Sequence, residues 1–340
     1  MKTRKGIFVL CVDVELAWGI VHRRRVDLRK FDMISRQVRE ILDEVTGLVE
    51  KYEIPTTWAI LGHVVLKSCK CEDGIPHRRM PRAEYSWLNE DWYRYDPCST
   101  VELAPAWYGK DLVDRLVNYV VNSRIPHDIA CHSFSHQMFG DPDCPREVAV
   151  AEIKKCLEIM KEEYDLIPKV FTFPRDYVGH LDVLKENGFI AFRDTIPKLY
   201  PCLELRRTIS NAMTTSFSSI VQGLSYYMLL SPHVTSPRLT HGIWGIPGSL
   251  GYSKKQLIPF KLVTYKAIRG IAKAVRRKRI FCLTTHLHDL ASNQNVLSDF
   301  EMILSYANKE RMKGNLCVKT VRQVVTELKK VTLVDDTFAH

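Results

Sequence analysis

Short apolar runs alternate with amphipathic stretches along most of this 340-residue chain, and few architectures accommodate that rhythm. Residues 7–12 are continuously apolar, as expected of a strand covered on both faces. Between 35 and 52, Val38, Ile41, Leu42, Val45, Leu48, Val49 and Tyr52 recur at helical spacing. The same reading predicts strands at 56–61, 127–131, 170–173 and 189–192, and helices at 111–122, 146–164 and 181–186, the last stopped by Asn187 and Gly188. Helices at 256–275, 297–309 and 321–330, with strands at 279–285 and 316–319, continue the pattern. Alternation at this pace means parallel strands joined by helical crossovers. The number of units favours a closed or nearly closed α/β barrel, and no GxGxxG follows a strand to suggest a dinucleotide site. Two stretches break the rhythm, at about 67–108 and 200–259, and read as insertions over one end of the barrel. The first carries Trp87, Trp92, Tyr93, Tyr95, Trp107 and Tyr108, rings suited either to stacking on sugars or to local packing, with the binding role preferred.

Charge narrows the partners. Lys and Arg number 49 against 39 Asp and Glu, a formal +10, which favours anionic partners such as phosphates, acidic glycans or a membrane surface. No finger spacing, recognition helix or long basic arm supports nucleic acid. The surplus concentrates at His22 to Arg25 and at residues 254–279. The latter form a basic amphipathic helix, read chiefly as a crossover packed on the barrel and alternatively as a peripheral contact with anionic lipid. The ten cysteines are scattered, with only Cys69 and Cys71 close in sequence, so no disulfide framework is expected. No export signal and no long apolar span is legible, which makes the reducing cytoplasm the expected setting.

Three clusters fall just past strand ends, where an α/β barrel places its chemistry. Asp13 and Glu15 are two apart and share a face in extended chain, so one carboxylate can serve as base while the other holds a metal. His132 and His136 are spaced to meet one ion from a helical turn. His286, His288 and Asp289 offer an imidazole titrating near neutral pH with a carboxylate to orient it. Each cluster alone has a plain structural reading: a strand-end cap, a chance pair, solvent-facing loop histidines.

Together, in this order, the clusters resemble the polysaccharide deacetylases of the NodB-homology type. Asp13-Val14-Glu15 is similar to the family's acidic pair, although the family commonly has two adjacent aspartates. His132-Ser133-Phe134-Ser135-His136 matches its H-[ST]-x-x-H motif. Phe173-Pro174-Arg175-Asp176 resembles its Arg/Pro/aromatic loop, and His286 to Asp289 its late His-Asp loop. The resemblance implies a distorted (β/α) barrel of about seven parallel strands and a divalent metal, most often zinc. It implies Glu15, His132 and His136 as metal ligands and Asp13 as base, with Arg175 orienting it. His286, with His288 as the alternative, would be the acid. The activity implied is removal of an N-acyl group, acetyl foremost, from an amino sugar. A cytoplasmic enzyme has no access to wall polymers, so a soluble, phosphate-bearing or polyprenyl-linked precursor is the expected substrate. The competing readings are a deformylase or amidase on another amide, a non-catalytic carbohydrate-binding barrel, and a basic nucleic-acid binder, the last predicting a steep salt dependence.

Overall fold

All nine residues of β1 (Gly6–Val14) are buried, the place a continuous apolar run takes in a parallel sheet covered on both faces. The structure is a computed structural model, and it describes residues 4–23, 27–196, 232–253, 259–292 and 294–337. The other strands are β2 (Thr56–Ile60), β3 (Asp128–Cys131), β4 (Val170–Thr172), β5 (Ala191–Asp194), β6 (Arg238–Thr240), β7 (Ile243–Pro247), β8 (Leu250–Tyr252), β9 (Ile280–His286) and β10 (Leu316–Val318). The helices are α1 (Leu28–Lys51), α2 (Lys110–Asn122), α3 (Arg146–Tyr164), α4 (Leu181–Glu186), α5 (Phe260–Arg277), α6 (Leu287–Leu290), α7 (Gln294–Met312) and α8 (Val321–Thr337).

The strands run in the order β6-β7-β5-β4-β3-β2-β1-β9-β8, with β10 beside the start of β1, and only β6–β7 is antiparallel. Pro247 of β7 still pairs with Asp194 of β5, while Leu250 of β8 already pairs with Leu283 of β9. Between them Gly248 donates its N–H to Asp194 O and Ser249 its own to Cys282 O. One bent segment thus joins the two flanks and curls the sheet into a distorted barrel. Among the described residues its main path has seven parallel staves, β1 to β5, the bent β7–β8 and β9, as the resemblance implied, with β10 parallel to β1 off that path. That segment lies inside 200–259, so its residues 243–252 are barrel wall rather than insertion. Residues 200–231 and 254–258 of that stretch, and Arg24 and Arg25, lie outside the described residues.

Strand parity builds both core and site. Ile7, Val9 and Cys11 face inward with Ala59, Ala130, Val170, Ala191 and Cys282, side chains small enough for a narrow interior, and α8 closes one end with Val321, Val324 and Val325. Phe8, Leu10, Val12 and Val14 face the helical layer. Side chains two apart share a face. The inward rows therefore continue to Asp13 on β1, to His132 just past β3, to Arg193 on β5 and to His286 on β9.

Helix α5 buries Val263, Ala267, Ile271 and Ala274 against the barrel, and Gly270 lets it approach the ring of Phe281 closely. Its apolar stripe is therefore occupied, as the crossover reading expects, and a lipid contact there would rest on charge alone. No described helix is long and apolar enough to cross a membrane.

Residues 67–108 form no helix or strand element and are tied down by other means. A disulfide joins Cys71 to Cys98, where the sequence reading expects no disulfide framework. The aromatic rings also differ from the preferred reading. Trp92, Tyr93, Trp107 and Tyr108 are buried. Trp92 donates to Ser135 O at 2.8 Å, Trp18 donates to Trp107 O at 3.1 Å, and none of the six rings lines the main cavity. A long segment without secondary structure needs its own apolar core, and these rings supply it.

Candidate active site

The inward rows meet at a cavity of about 540 Å³ at the C-terminal mouth of the barrel, lined among others by Asp13, Glu15, His132, His136, Arg193 and His286. Glu15 Oε2 lies 3.1 Å from His132 Nε2 and 3.0 Å from His136 Nε2, with all three side chains buried. His132 Nδ1 donates to Thr172 O at 2.8 Å, which fixes the tautomer and aims Nε2 at Glu15. Glu15 caps the short helical turn Leu16–Ile20 with its backbone. A Cβ at Gly19 would overlap its carboxylate, so glycine there is what gives the side chain room.

His132 and His136 converge without the expected helical turn. Residues 132–138 are irregular, and Ser133 and His136 hold left-handed φ values of 65° and 69°. Glu152 of α3 holds this strained loop. Its Oε2 accepts the N–H groups of Phe134 at 3.0 Å and Ser135 at 2.7 Å, while Oε1 accepts the Ser135 hydroxyl at 2.6 Å and the Tyr93 hydroxyl at 3.1 Å. Ser133 Oγ accepts the His136 N–H, and the backbone at 62–63 donates to the carbonyls of Ser133 and Phe134.

Asp13 is clamped by Arg193, whose Nη1 and Nη2 donate to Oδ1 at 2.5 Å and Oδ2 at 2.8 Å, both side chains being 4% exposed. Arg175, expected in that role, points away to His22 Nε2 at 3.0 Å and lines the cavity rim instead. The reason is local: Arg175 and Asp176 hold left-handed φ values of 55° and 57°, turning the first outward and the second toward Arg193, 3.6 Å away. Strain of this kind is characteristic of functional loops. His286 sits opposite Asp13 in the β1–β9 register, with Nε2 3.9 Å from Asp13 Oδ2 and 3.5 Å from Glu15 Oε1. Its Nδ1 bonds Asp289 Oδ2 at 2.9 Å. The His288 ring stacks behind it at 4.8 Å and makes an edge contact with Phe31.

The charges follow this geometry. Burial works against ionised Asp13, but the Arg193 guanidinium outweighs it and holds the carboxyl below its usual range. Glu15 is likewise buried yet held well below its usual range by His286 and His136. His286 is pushed up to about 10: burial opposes the charge, but Glu15, the Asp289 hydrogen bond and Asp13 overcome it. His288 is pushed down by burial and by the His286 charge, which separates the two imidazoles into a charged front member and a neutral one behind. Burial raises Asp176 despite Arg193.

Two imidazole nitrogens and a carboxylate oxygen within 4.8 Å of one another suit a divalent ion and fit zinc by donor type. A second grouping, Glu15 with His286 and His288, shares the same carboxylate. Sequence reading missed Arg193, Gly19, Thr172 and Glu152. Strand parity carries a signal for Arg193, two residues after inward Ala191, and nothing local marks Glu152.

The sequence matches no family model. It also matches no curated protein. Solved structures do share its fold. A Mycobacterium smegmatis protein assigned as a polysaccharide deacetylase superposes with a TM-score of 0.59 at 10% identity, over 96% of this chain and 92% of that one. A Pseudomonas aeruginosa protein of the same assignment gives 0.52 at 12% identity, over 94% and 89%. The Puue allantoinase gives 0.52 at 11% identity over the same shares. At such identities the shared property is the architecture, a distorted (β/α) barrel common to these deacetylases and the allantoinase.

Proposed function

We propose that this chain is a metal-dependent hydrolase that removes an N-acyl group, acetyl foremost, from an amino sugar of a glycan or glycan precursor. The observation that carries the reading is the convergence of Glu15, His132 and His136 beside an arginine-held Asp13 and His286, all at one barrel mouth.

An amide resists hydrolysis because its carbonyl is a weak electrophile and its amine a poor leaving group. A divalent ion held by Glu15, His132 and His136, zinc by donor type, would act as a Lewis acid on the carbonyl and make water a nucleophile near neutral pH. Asp13, kept ionised by Arg193, takes the proton from that water at Oδ2, the oxygen nearer His286. His286 holds its proton at Nε2, because Nδ1 is engaged by Asp289, and passes it to the departing nitrogen. His288 presses on the face of His286 and positions it.

The cavity has the size of a site for one or two sugar rings. Arg23 and Arg175 line its rim, which supports a phosphate-bearing substrate, lipid-linked or soluble. We keep the cytoplasm as the setting, against which the Cys71–Cys98 bond is the one contrary observation. The test is release of acetate against formate from N-acetyl and N-formyl amino sugars, with and without a terminal phosphate. Metal-loaded protein is compared with metal-stripped protein and with Asp13→Asn. Acetate released only by metal-loaded wild type supports the reading, formate alone moves it to a deformylase, and tight sugar binding without turnover moves it to a binding barrel.

A further inference from the structure

We propose a second metal site, formed by His63, Cys69, His77 and Asp96, in which a zinc-like ion fastens residues 67–108 to the barrel. These four side chains place their ligand atoms within 4.8 Å of one another. His63 Nε2 and His77 Nε2 are 2.9 Å apart, and they lie 3.0 Å and 2.9 Å from the same oxygen, Asp96 Oδ2. Cys69 Sγ is 3.5 Å from that oxygen. An imidazole Nε2 has a single in-plane site, a proton or a lone pair. Here each of two such nitrogens faces two partners at once, more than its one site can serve except through a shared ion at a point among them. A cation at that point meets both lone pairs, the carboxylate and the thiolate together.

The dimensions suit the ion. Tetrahedral zinc with bonds near 2.0–2.1 Å to nitrogen and 2.3 Å to sulfur separates its ligand atoms by about 3.3 Å for nitrogen pairs and about 3.6 Å for pairs with sulfur. The spacings of 2.9–3.0 Å among the two nitrogens and the oxygen, and of 3.5 Å from sulfur to that oxygen, lie inside those values by up to about 0.4 Å. The surroundings are those of a closed, structural centre: His63 and Asp96 side chains are fully buried, and four protein donors leave no position for substrate. Outer contacts orient the carboxylate. Tyr108 donates its hydroxyl to Asp96 Oδ1 at 2.6 Å and the Cys98 N–H donates to it at 3.0 Å, which leaves Oδ2 for the ion.

The placement explains what the ion does. His63 follows β2, and its N–H donates to Phe134 O at 2.9 Å, inside the loop that carries His132 and His136. The other three ligands belong to the segment that has no helix or strand of its own. The ion therefore joins that segment to the floor of the catalytic loop, and the Cys71–Cys98 bond closes the segment on itself. This proposal does not rest on the deacylase reading, since it uses none of the same side chains.

Sulfur separates the two centres by spectroscopy, because the barrel-mouth donors are only nitrogen and oxygen. Full-length protein loaded with cobalt(II) is expected to show a thiolate-to-cobalt charge-transfer band. The band should persist in Glu15→Ala/His132→Ala, where the mouth is disabled, and disappear in Cys69→Ser with loss of about one tightly held zinc per chain. A second measurement leaves the cluster intact should Cys69→Ser fold poorly. Zinc-edge absorption of Glu15→Ala/His132→Ala is expected to show one sulfur at about 2.3 Å. No charge-transfer band in cobalt-loaded wild type, a band that survives Cys69→Ser, or a zinc shell of nitrogen and oxygen alone overturns the proposal.

Discussion

Replacing Glu152 by alanine should damage both the stability of the chain and its hold on metal, although Glu152 reaches neither substrate nor ion. The side chain is wholly buried and accepts four hydrogen bonds, two from the backbone of Phe134 and Ser135 and two from the hydroxyls of Ser135 and Tyr93. The hydroxyls already lie 3.1 Å apart and can satisfy each other. The two backbone N–H groups have no substitute, and each buried donor left unpaired costs about 1–3 kcal/mol. Burial raises Glu152 above its usual carboxylate range, so part of this loss is offset when the buried charge goes. The net expectation is about 3 kcal/mol of stability, since the two donor penalties sum to about 4 before that offset. Ser133 and His136 sit at left-handed φ values that persist only while their surroundings enforce them. Once released, the loop relaxes and zinc affinity at His132 and His136 should fall about 10- to 100-fold. Glu152→Gln keeps the shape and one acceptor, and should lose less on both counts. Urea unfolding of metal-stripped protein measures the first effect and competition with a zinc chelator the second. An alanine variant within about 1 kcal/mol of wild type that binds zinc unchanged refutes the reasoning.

The other predictions concern buried charge and substrate. Arg193→Met removes the guanidinium from buried Asp13, leaving only the longer 3.9 Å contact with His286, and should cost about 3 kcal/mol, most of it recovered in Arg193→Met/Asp13→Asn; equal loss in single and double variants contradicts the pairing. Asp128 is pushed up to about 6 by burial, only partly relieved by Arg322, from an ordinary value of 3.8. Its folded form binds the proton more tightly than the unfolded form, so the stability it contributes is complete below the unfolded value and is lost as pH rises through about 6. Asp128→Asn should therefore stabilise by at most about 3 kcal/mol at pH 8 and by only about 0.5 kcal/mol at pH 4, read from unfolding curves at both; a pH-independent change sinks the assignment. If the substrate is lipid-linked and held by surface charge, the protein should float with anionic vesicles at low salt and not at high salt; absence of any salt-sensitive binding removes the membrane version.

Much of the barrel was legible because strand and helix periods differ. The fully apolar run of β1 and the helical spacing within α1 and α3 declare themselves, and the order of motifs points to the barrel mouth. The bent β7–β8 stave was not legible, since its short strands sit among prolines, glycines and serines that read as loop. At the site, Glu15, His132 and His136 do come together, although the histidines converge through a strained loop held by a distant glutamate rather than through a helical turn. Reading the motif by nearness along the chain points to Arg175 and misses Arg193. The inward parity of β5, Ala191 then Arg193, identifies the guanidinium that reaches Asp13. The aromatic residues of 67–108 looked like a sugar platform because composition alone does not separate a stacking surface from a local core.

The most direct measurement is the metal content of purified wild type against Glu15→Ala and His132→Ala, with the thiolate-to-cobalt band followed in the same samples. The account predicts that each variant loses about one ion per chain and all N-deacylase activity while keeping the band. Metal content unchanged by both substitutions would contradict it.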